Sequence, residues 1–518
     1  MGTEIVDQAE SPLLTPRSKP DGRELTLHRD DLVIRKGQYT LLNGHLTPQQ
    51  SMLEDLAFVK RVLDEARIPH LLVRGNHDRP VIALEITRRA EFEEALAAAA
   101  GTEPFYSKPG KQRAQLVSTD GLGPESERVL RIYRPRVEPI GRLRYGAGSA
   151  IQIEFWIMTE TEVLAPVENS LMRRELPRGE AVETPIERYG MDWVTLEHMF
   201  DDHATDITFE IDMVFSWVDG NSVEYQRARA ARATSHVVGE GDDSVARFRQ
   251  IDELKYALRS VYMFAPWVRN IYIATDSPAP EWLADHPRVR VVRSEEFFAD
   301  PSVLPTHNSQ GVESQLHHIK GLSEHFLYSN DDMFFGRPVS PGMFFSPGSV
   351  TKFIEAATRI GLGLNNAERS GFENSARVNR ALLQQRFGRV TTRHLEHTAA
   401  PLRKSVLTEM EHEFAEEFRA TAASPFRAAS NISVTNSLYH YYALMTGRAI
   451  VQENAKVSYV DTTMVSGLAF LSELLKKRSY DFFCLNDGSF PEVTDEERTA
   501  VVTDFLERYF PFKAPWEA

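Results

Sequence analysis

Cysteine is nearly missing from this 518-residue chain, and its single thiol, Cys484, excludes both an internal disulfide framework and a thiolate metal cluster. Long apolar runs are missing too. No stretch approaches the ~18 apolar residues of a spanning helix, and residues 1–22, broken by Pro12, Pro16 and Pro20, contain no secretory apolar segment. Basic charge is scarce: 59 Lys and Arg face 74 Asp and Glu, a formal net charge of −15. That balance argues against nucleic acid as a partner, because phosphate-backbone binding needs clustered cations. These absences fit a reducing, cytoplasmic setting. They leave open a peripheral association with the inner face of the cell membrane, and oligomeric state is unreadable.

What is present reads as an ordinary globular chain, 42% hydrophobic and 26% charged, long enough for two or three domains. Residues 1–22 read as a flexible tail, 23–176 as a smaller α+β domain closed by a Pro-rich linker near 177–185, and 206–518 as a second domain. In the first, Met52, Leu53, Leu56, Val59, Val62, Leu63 and Ala66 follow helical spacing. A strand is expected over 70–73, a helix over 88–100, and strands over 129–133 and 151–157. Gly75-Asn-His-Asp78 looks like one signature of binuclear metallophosphoesterases, but the Asp-x-His and Gly-Asp-x-x-Asp that such a centre needs are missing. A strand-to-turn exit is the simpler reading. Arg74, Glu85 and Glu154 read as surface residues or nucleotide contacts.

Beyond Asp206, apolar runs end repeatedly in carboxylates. Residues 211–218 form a near-continuous apolar run, as expected of a parallel strand buried on both faces, and Asp219-Gly220 closes it. Ligands of open α/β sheets bind outside the carboxyl ends of strands, so Trp217 and Asp219 are placed to hold a base or ribose. Leu254, Ala257, Leu258, Val261 and Phe264 share one face of a helix, and Asp252, Lys255 and Arg259 share the other. A helix begun at Asp252 offers N–H groups to an anion, with Arg247, Arg249 and Arg259 as charge-assisted donors to phosphate.

Strands over 270–276 and 289–292 sustain the βαβ pattern. The loop Thr306-His-Asn-Ser309 leads into a helix carrying Glu313, Leu316, His317 and Ile319, on which Glu313 and His317 form a metal pair or, more simply, a hydrogen bond. A strand over 326–329 then delivers Asn330-Asp331-Asp332. Adjacent carboxylates raise each other's pKa unless a cation holds them. Mg²⁺ or Mn²⁺ suits Asp331 and Asp332, since such ions bind through one or two carboxylates plus substrate phosphate oxygens.

Three blocks, taken in order and at their spacing, resemble conserved regions of the Stealth family: Ile211-Asp-Met-Val-Phe-Ser-Trp-Val-Asp-Gly220, Ala246-Arg-Phe-Arg-Gln-Ile-Asp-Glu-Leu-Lys-Tyr-Ala-Leu-Arg259, and Thr306-His-Asn-Ser-Gln310 through Ser329-Asn-Asp-Asp332. That family includes bacterial capsule and exopolysaccharide phosphotransferases and the animal GlcNAc-1-phosphotransferase. Arg393-His-Leu-Glu-His397 with Pro401-Leu-Arg-Lys-Ser405, the segment 430–447 and Phe482-Phe-Cys-Leu-Asn-Asp487 look like the family's fourth conserved region and carboxyl end. The pattern departs from the family's at Gln250-Ile251, Gly311-Val312 and Asn431.

The resemblance implies an α/β fold, a Rossmann-like nucleotide-sugar transferase core with a mainly parallel sheet behind the α+β accessory domain. It implies transfer of hexose-1-phosphate from a nucleotide-sugar, such as a UDP-hexose, to a hydroxyl of a cell-surface polysaccharide, leaving nucleoside monophosphate. Asp219, Asp331 and Asp332 match motif carboxylates of the nucleotide-sugar and metal site, and His397 matches a histidine suited to proton transfer. On this reading Mg²⁺ on Asp331 and Asp332 neutralises the diphosphate, and Arg249 and Arg259 hold its oxygens. Trp217, Asp219, Asp252, Asn308 and Glu313 bind substrate, and His397, or His307 as its rival, takes the acceptor proton. Competing readings are a metal-dependent glycosyltransferase releasing nucleoside diphosphate and a non-catalytic carbohydrate-binding protein.

Overall fold

A computed structural model describes residues 29–76, 78–220, 222–233, 251–488 and 491–518. The chain falls into two compact units, Met1–Asp201 and Asp202–Ala518.

In the first unit, helix α1 (Pro48–Glu65) begins at a capping box: the Thr47 hydroxyl accepts from the Gln50 N–H, and the Gln50 side chain accepts from the Thr47 N–H. Its face of Met52, Leu56, Val59, Val62 and Leu63 is buried, joined by Phe92 and Leu96 of α2 (Arg89–Ala100). Strand β1 (His70–Val73) pairs with β2 (Val81–Glu85). The long strand β4 (Ile151–Met158) is the hub of the sheet, parallel to β2 and antiparallel to β3 (Val129–Tyr133). The stretch expected as a linker, near 177–185, runs into a hairpin, β5 (Glu183–Arg188) and β6 (Met191–Leu196), whose Trp193 joins the first unit's core. Alternating residues of β6 point inward, which a proline count alone does not reveal.

Residues of this unit that the sequence offered for ligand contact are engaged within the unit. The backbone of Gly75 bridges to Asn169, and Arg74 donates to the Asp201 carbonyl at 2.6 Å; His77 lies outside the described residues. Glu154 is buried and accepts from Trp156 Nε1 at 2.9 Å and Gln152 Nε2 at 2.7 Å, so it is committed to its own strand.

The second unit is built on a five-stranded sheet ordered β9 (Val289–Val292), β8 (Ile271–Ala274), β7 (Ile211–Ser216), β10 (His325–Asn330) and β12 (Ala400–Arg403). Four strands are parallel, and β12 closes the edge antiparallel. Strand order therefore reverses at β7, and open α/β sheets bind ligands beyond the carboxyl ends of their strands at such a point. Strand β7 is buried over Ile211–Phe215, as its apolar run requires. A second, three-stranded sheet sets β14 (Phe482–Asn486) between β11 (Met333–Phe335) and β13 (Val457–Asp461).

Candidate active site

Register brings the two strand ends together. Ser216 of β7 lies beside Asn330 of β10 in the parallel ladder, so Trp217 and Asp219 leave the sheet next to Asp331 and Asp332. The Trp217 N–H still donates to the Ala274 carbonyl at 3.1 Å, and the Asp219 N–H donates to Ser277 Oγ at 2.8 Å. Between the strands, Tyr328 OH donates to Asn330 Oδ1 at 2.8 Å and meets Ser216 Oγ at 2.9 Å.

Asp332 precedes β11, whose pairing with β14 sets Met333 opposite Cys484. The Cys484 thiol consequently donates to Asp332 Oδ2 at 3.5 Å, while Asp332 Oδ1 is buried without a hydrogen-bond partner. Burial pushes the Asp332 carboxyl up to about 6, and the negative charges of Glu253 and Asp487 push the same way. Glu253, the first residue of α3 (Glu253–Phe264), is buried too; desolvation and then the charge of Asp331 raise it to about 7. Asp487 follows β14 and is paired with Arg498, whose Nε donates to Thr462 Oγ1 at 2.7 Å. Four carboxylates from distant segments thus share one region. Their donor atoms stand apart: among the described residues, the one set of three His, Cys, Asp or Glu donors within 4.8 Å is His317, His318 and Glu411.

A second wall comes from α4 (Ser309–Glu313) and a π-helical turn, Val434–Leu438. Such turns recur at functional sites because they re-aim side chains within a helix. Here the turn directs Thr435 Oγ1 to Glu313 Oε2 at 2.7 Å and Asn436 Nδ2 to the same oxygen at 3.4 Å. Burial holds the Glu313 carboxyl above the usual range, partly offset by the Thr435 hydroxyl and then the charge of Arg427. Arg427 itself donates to Ser309 Oγ at 2.8 Å.

His397 follows the strand Arg393–Leu395 and meets Tyr459 of β13 edge-on, with ring centroids 5.2 Å apart. The Tyr459 phenol in turn feels Cys484, Asp461 and Asp332, so His397 is linked to the carboxylate region through one aromatic ring. Burial lowers the His397 pKa, favouring the neutral imidazole. His307 packs between Phe426, stacked at 5.5 Å, and Tyr225, edge-on at 5.2 Å.

Several expected roles do not fit these positions. The guanidinium of Arg259 is bidentate to Glu517, with Nε–Oε1 2.8 Å and Nη2–Oε2 2.6 Å, and its Nη1 donates to the Phe510 carbonyl. It ties α3 to the carboxyl-terminal segment instead of gripping phosphate. Asn308 caps α4, and its Nδ2 donates to Asn431 Oδ1 at 2.9 Å, so its amide holds a turn rather than a substrate. Asp252 adopts a left-handed conformation (φ 61°), gives no side-chain cap and lies 3.9 Å from Lys255, while the Ile251 N–H is taken by the Glu253 carboxylate. An acid occupies the expected anion site. Glu313 and His317 do not share a helix face, because α4 ends at Glu313 and His317 belongs to a separate 3-10 turn. Arg247 and Arg249 lie outside the described residues. Glu253, Asp487 and Arg427 were not singled out in the sequence, although Asp487 ends an apolar run as Asp332 does.

The chain is similar to known proteins along most of its length. Residues 247–353, 396–444 and 472–518 match Stealth protein conserved regions 2, 3 and 4. The segment around His397 is therefore region 3, and only the end of the chain is region 4. The chain is 61% identical over 491 residues to the exopolysaccharide phosphotransferase CpsY of Mycobacterium tuberculosis, covering 94% of this chain and 92% of that one. It is 52% identical to the exopolysaccharide phosphotransferase of Nocardia farcinica, over 92% and 89% of the two chains. Among solved structures, the galactosyltransferase LgtC with donor and acceptor sugar analogues aligns over 58% of this chain and 96% of that one, at 11% identity and TM-score 0.31.

Proposed function

The chain belongs to the Stealth family, and from that premise we propose that it is an exopolysaccharide phosphotransferase, moving a sugar-1-phosphate from a nucleotide-sugar to a polysaccharide hydroxyl. The acceptor oxygen attacks the phosphorus bonded to the sugar; the P–O bond to the nucleoside monophosphate breaks, and the anomeric C–O bond survives. The observation that carries this reading is the buried, unpartnered Oδ1 of Asp332, which with Asp331 follows the carboxyl end of parallel strand β10 and feels the charges of Glu253 and Asp487. Such a set fits Mg²⁺ or Mn²⁺, with Asp331 and Asp332 as the holding residues and Glu253 and Asp487 alongside. When bound, the ion supplies positive charge for a diphosphate.

The chain's own groups divide the remaining work. Trp217 and Asp219, beside Asp331 at the switch point, hold the nucleoside. Neutral His397 accepts the acceptor proton, and His307, between two aromatic rings, positions the acceptor. Arg427, whose charge acts on Glu313, takes the phosphate-binding role from Arg259. His397→Ala lowers kcat by about 10²–10⁴-fold with little change in donor KM, because a general base acts in the transition state.

Product identity tests the whole reading. Purified protein with Mg²⁺, a panel of nucleotide-sugars and a polysaccharide acceptor releases nucleoside monophosphate and leaves a phosphodiester. Release of nucleoside diphosphate with a new glycosidic bond would establish the glycosyltransferase reading instead.

A further inference from the structure

A second group of donors converges where α4 gives way to the short turn Leu316–His318. His317 Nε2 lies 2.8 Å and His318 Nε2 2.9 Å from one carboxylate oxygen, Oε2 of Glu411 on α5 (Lys404–Glu413). All three donor atoms fall within 4.8 Å, and the imidazole centroids are 4.1 Å apart. His317 is 2% exposed, and its other nitrogen, Nδ1, is buried without a hydrogen-bond partner.

The hydrogen bonds of His318 sharpen the point. Its Nδ1 lies 3.2 Å from the Phe297 carbonyl. A carbonyl oxygen only accepts, so Nδ1 carries the proton, and a neutral imidazole has one N–H. His318 Nε2 then turns a lone pair toward a carboxylate oxygen that has only lone pairs. The contact is repulsive until a second proton or a metal cation enters it. A carbonyl on the remote nitrogen is also the contact by which metal-bound histidines are oriented. Although burial pushes the Glu411 carboxyl up, the two imidazoles outweigh it and hold the group well below the usual carboxylate range. It is an anionic ligand at neutral pH.

We infer that His317, His318 and Glu411 bind a transition-metal ion of the Zn²⁺ class, at a site separate from the carboxylate region. Two imidazoles and one carboxylate are a zinc donor set, whereas Mg²⁺ takes oxygen ligands. Three protein ligands leave a fourth tetrahedral position for water. Zinc bonds of about 2.0–2.2 Å require the donors to part by several tenths of an ångström. The partly exposed side chains of His318 (29%) and Glu411 (25%) have room for that. Lys404 opposes the site electrostatically, with its ammonium 3.4 Å from the Leu322 carbonyl. A bound ion cross-links α5 to the turn four residues beyond Glu313, and so stiffens the segment that presents that carboxylate.

The test uses full-length protein stripped of metal by a chelator, then titrated with ZnCl₂ in excess Mg²⁺ while heat release and melting temperature are followed. The expected result is about one equivalent of Zn²⁺ that raises the melting temperature, is unaffected in Asp332→Asn, and binds at least ~100-fold more weakly in His318→Ala and Glu411→Gln. Circular dichroism confirms that these variants fold, and His318, being partly exposed, is the safer of the two. Co²⁺ in the same position gives a visible absorption that His318→Ala abolishes. Two results would overturn the inference: folded wild-type protein that takes up no Zn²⁺, which makes the group a protonated His–Glu–His network, or uptake lost in Asp332→Asn and kept in His318→Ala.

Discussion

Asp55 of the first unit and Asp332 of the second are treated in opposite ways, although the second unit also pairs buried aspartates with arginine, Asp212 with Arg269 and Asp481 with Arg337. In the first, Asp55, 1% exposed, receives Arg134 Nε at 2.7 Å, the Arg134 backbone N–H at 3.0 Å and Arg136 Nη2 at 2.8 Å, while Glu54 and Glu103 complete the circuit around the same arginines. In the second, Asp332 has a thiol on one oxygen and nothing on the other, and its neighbours Glu253 and Asp487 repel it. No Lys or Arg forms an ion pair with Glu253 or Asp332 among the described residues. A paired buried charge is architecture. On the proposed reading, one left with raised pKa and an open oxygen is held for a cation or substrate, since arginine pairs buried carboxylates elsewhere in the same chain.

That contrast is broken most severely by removing one partner of the complete circuit. Asp55→Ala leaves two buried guanidiniums with only Glu54 and Glu103 as acidic partners and costs about 3–5 kcal/mol of stability in denaturant unfolding. Arg259→Ala belongs with it: losing the bond to Glu517 lowers stability by a similar amount and leaves donor KM unchanged in the folded fraction, which separates a structural arginine from a phosphate-binding one. A rise in donor KM without loss of stability would restore Arg259 to the site.

Asp332→Asn gives the opposite pattern. Turnover falls about 10²–10³-fold, the cost of one preorganised charge contact, while metal-free stability holds or rises because a mutual repulsion is relieved. Unfolding of this variant on the scale of Asp55→Ala would erase the distinction. A smaller, related effect is ligand linkage: Mg²⁺ at about one hundred times its Kd adds about 2–3 kcal/mol to the stability of wild-type protein. Asp332→Asn loses that gain and Asp55→Ala keeps it, as calorimetry of each with and without EDTA will show.

The two regions also differed in legibility. Local signals sufficed where one segment carries its own information: the capping residues and apolar face of α1, the buried run of β7, and two adjacent carboxylates at the end of β10. Long-range pairing decided the rest. Cys484 reaches Asp332 only because β11 and β14 are neighbours, 152 positions apart along the chain. Arg259 looked like a phosphate ligand because its partner Glu517 lies 258 positions away. Glu253 carries no signal of its own beside Asp252, yet burial and the charge of Asp331 make it a member of the carboxylate group. Asn308 carried a polar motif, and its amide is consumed by Asn431 across 123 positions.

A third treatment of a buried titratable group makes the smallest prediction. His325 of β10 is 7% exposed, stacks on Phe209 at 3.7 Å, and has an unpartnered Nε2. Burial depresses its pKa to about 4; Glu324 pulls upward and Arg403, opposite in the ladder, pushes down. The protein therefore neither pairs this charge nor holds it for a ligand, but discharges it. Because the folded state binds the proton less tightly than the unfolded chain, with its ordinary value near 6.5, stability is full above that value and declines as pH falls from about 6.5 toward 4. A shift of this size corresponds to at most ~3 kcal/mol, and relaxation and water entry reduce the effect to about 1–2 kcal/mol. His317, His394, His397 and His440 are shifted the same way, so the readout is the difference between wild type and His325→Phe, not the slope of either. Urea unfolding at several values between pH 4 and 7 should show the variant losing less stability than wild type on acidification; parallel profiles would mean that His325 is protonated in place, and that this interior tolerates an unpaired charge after all.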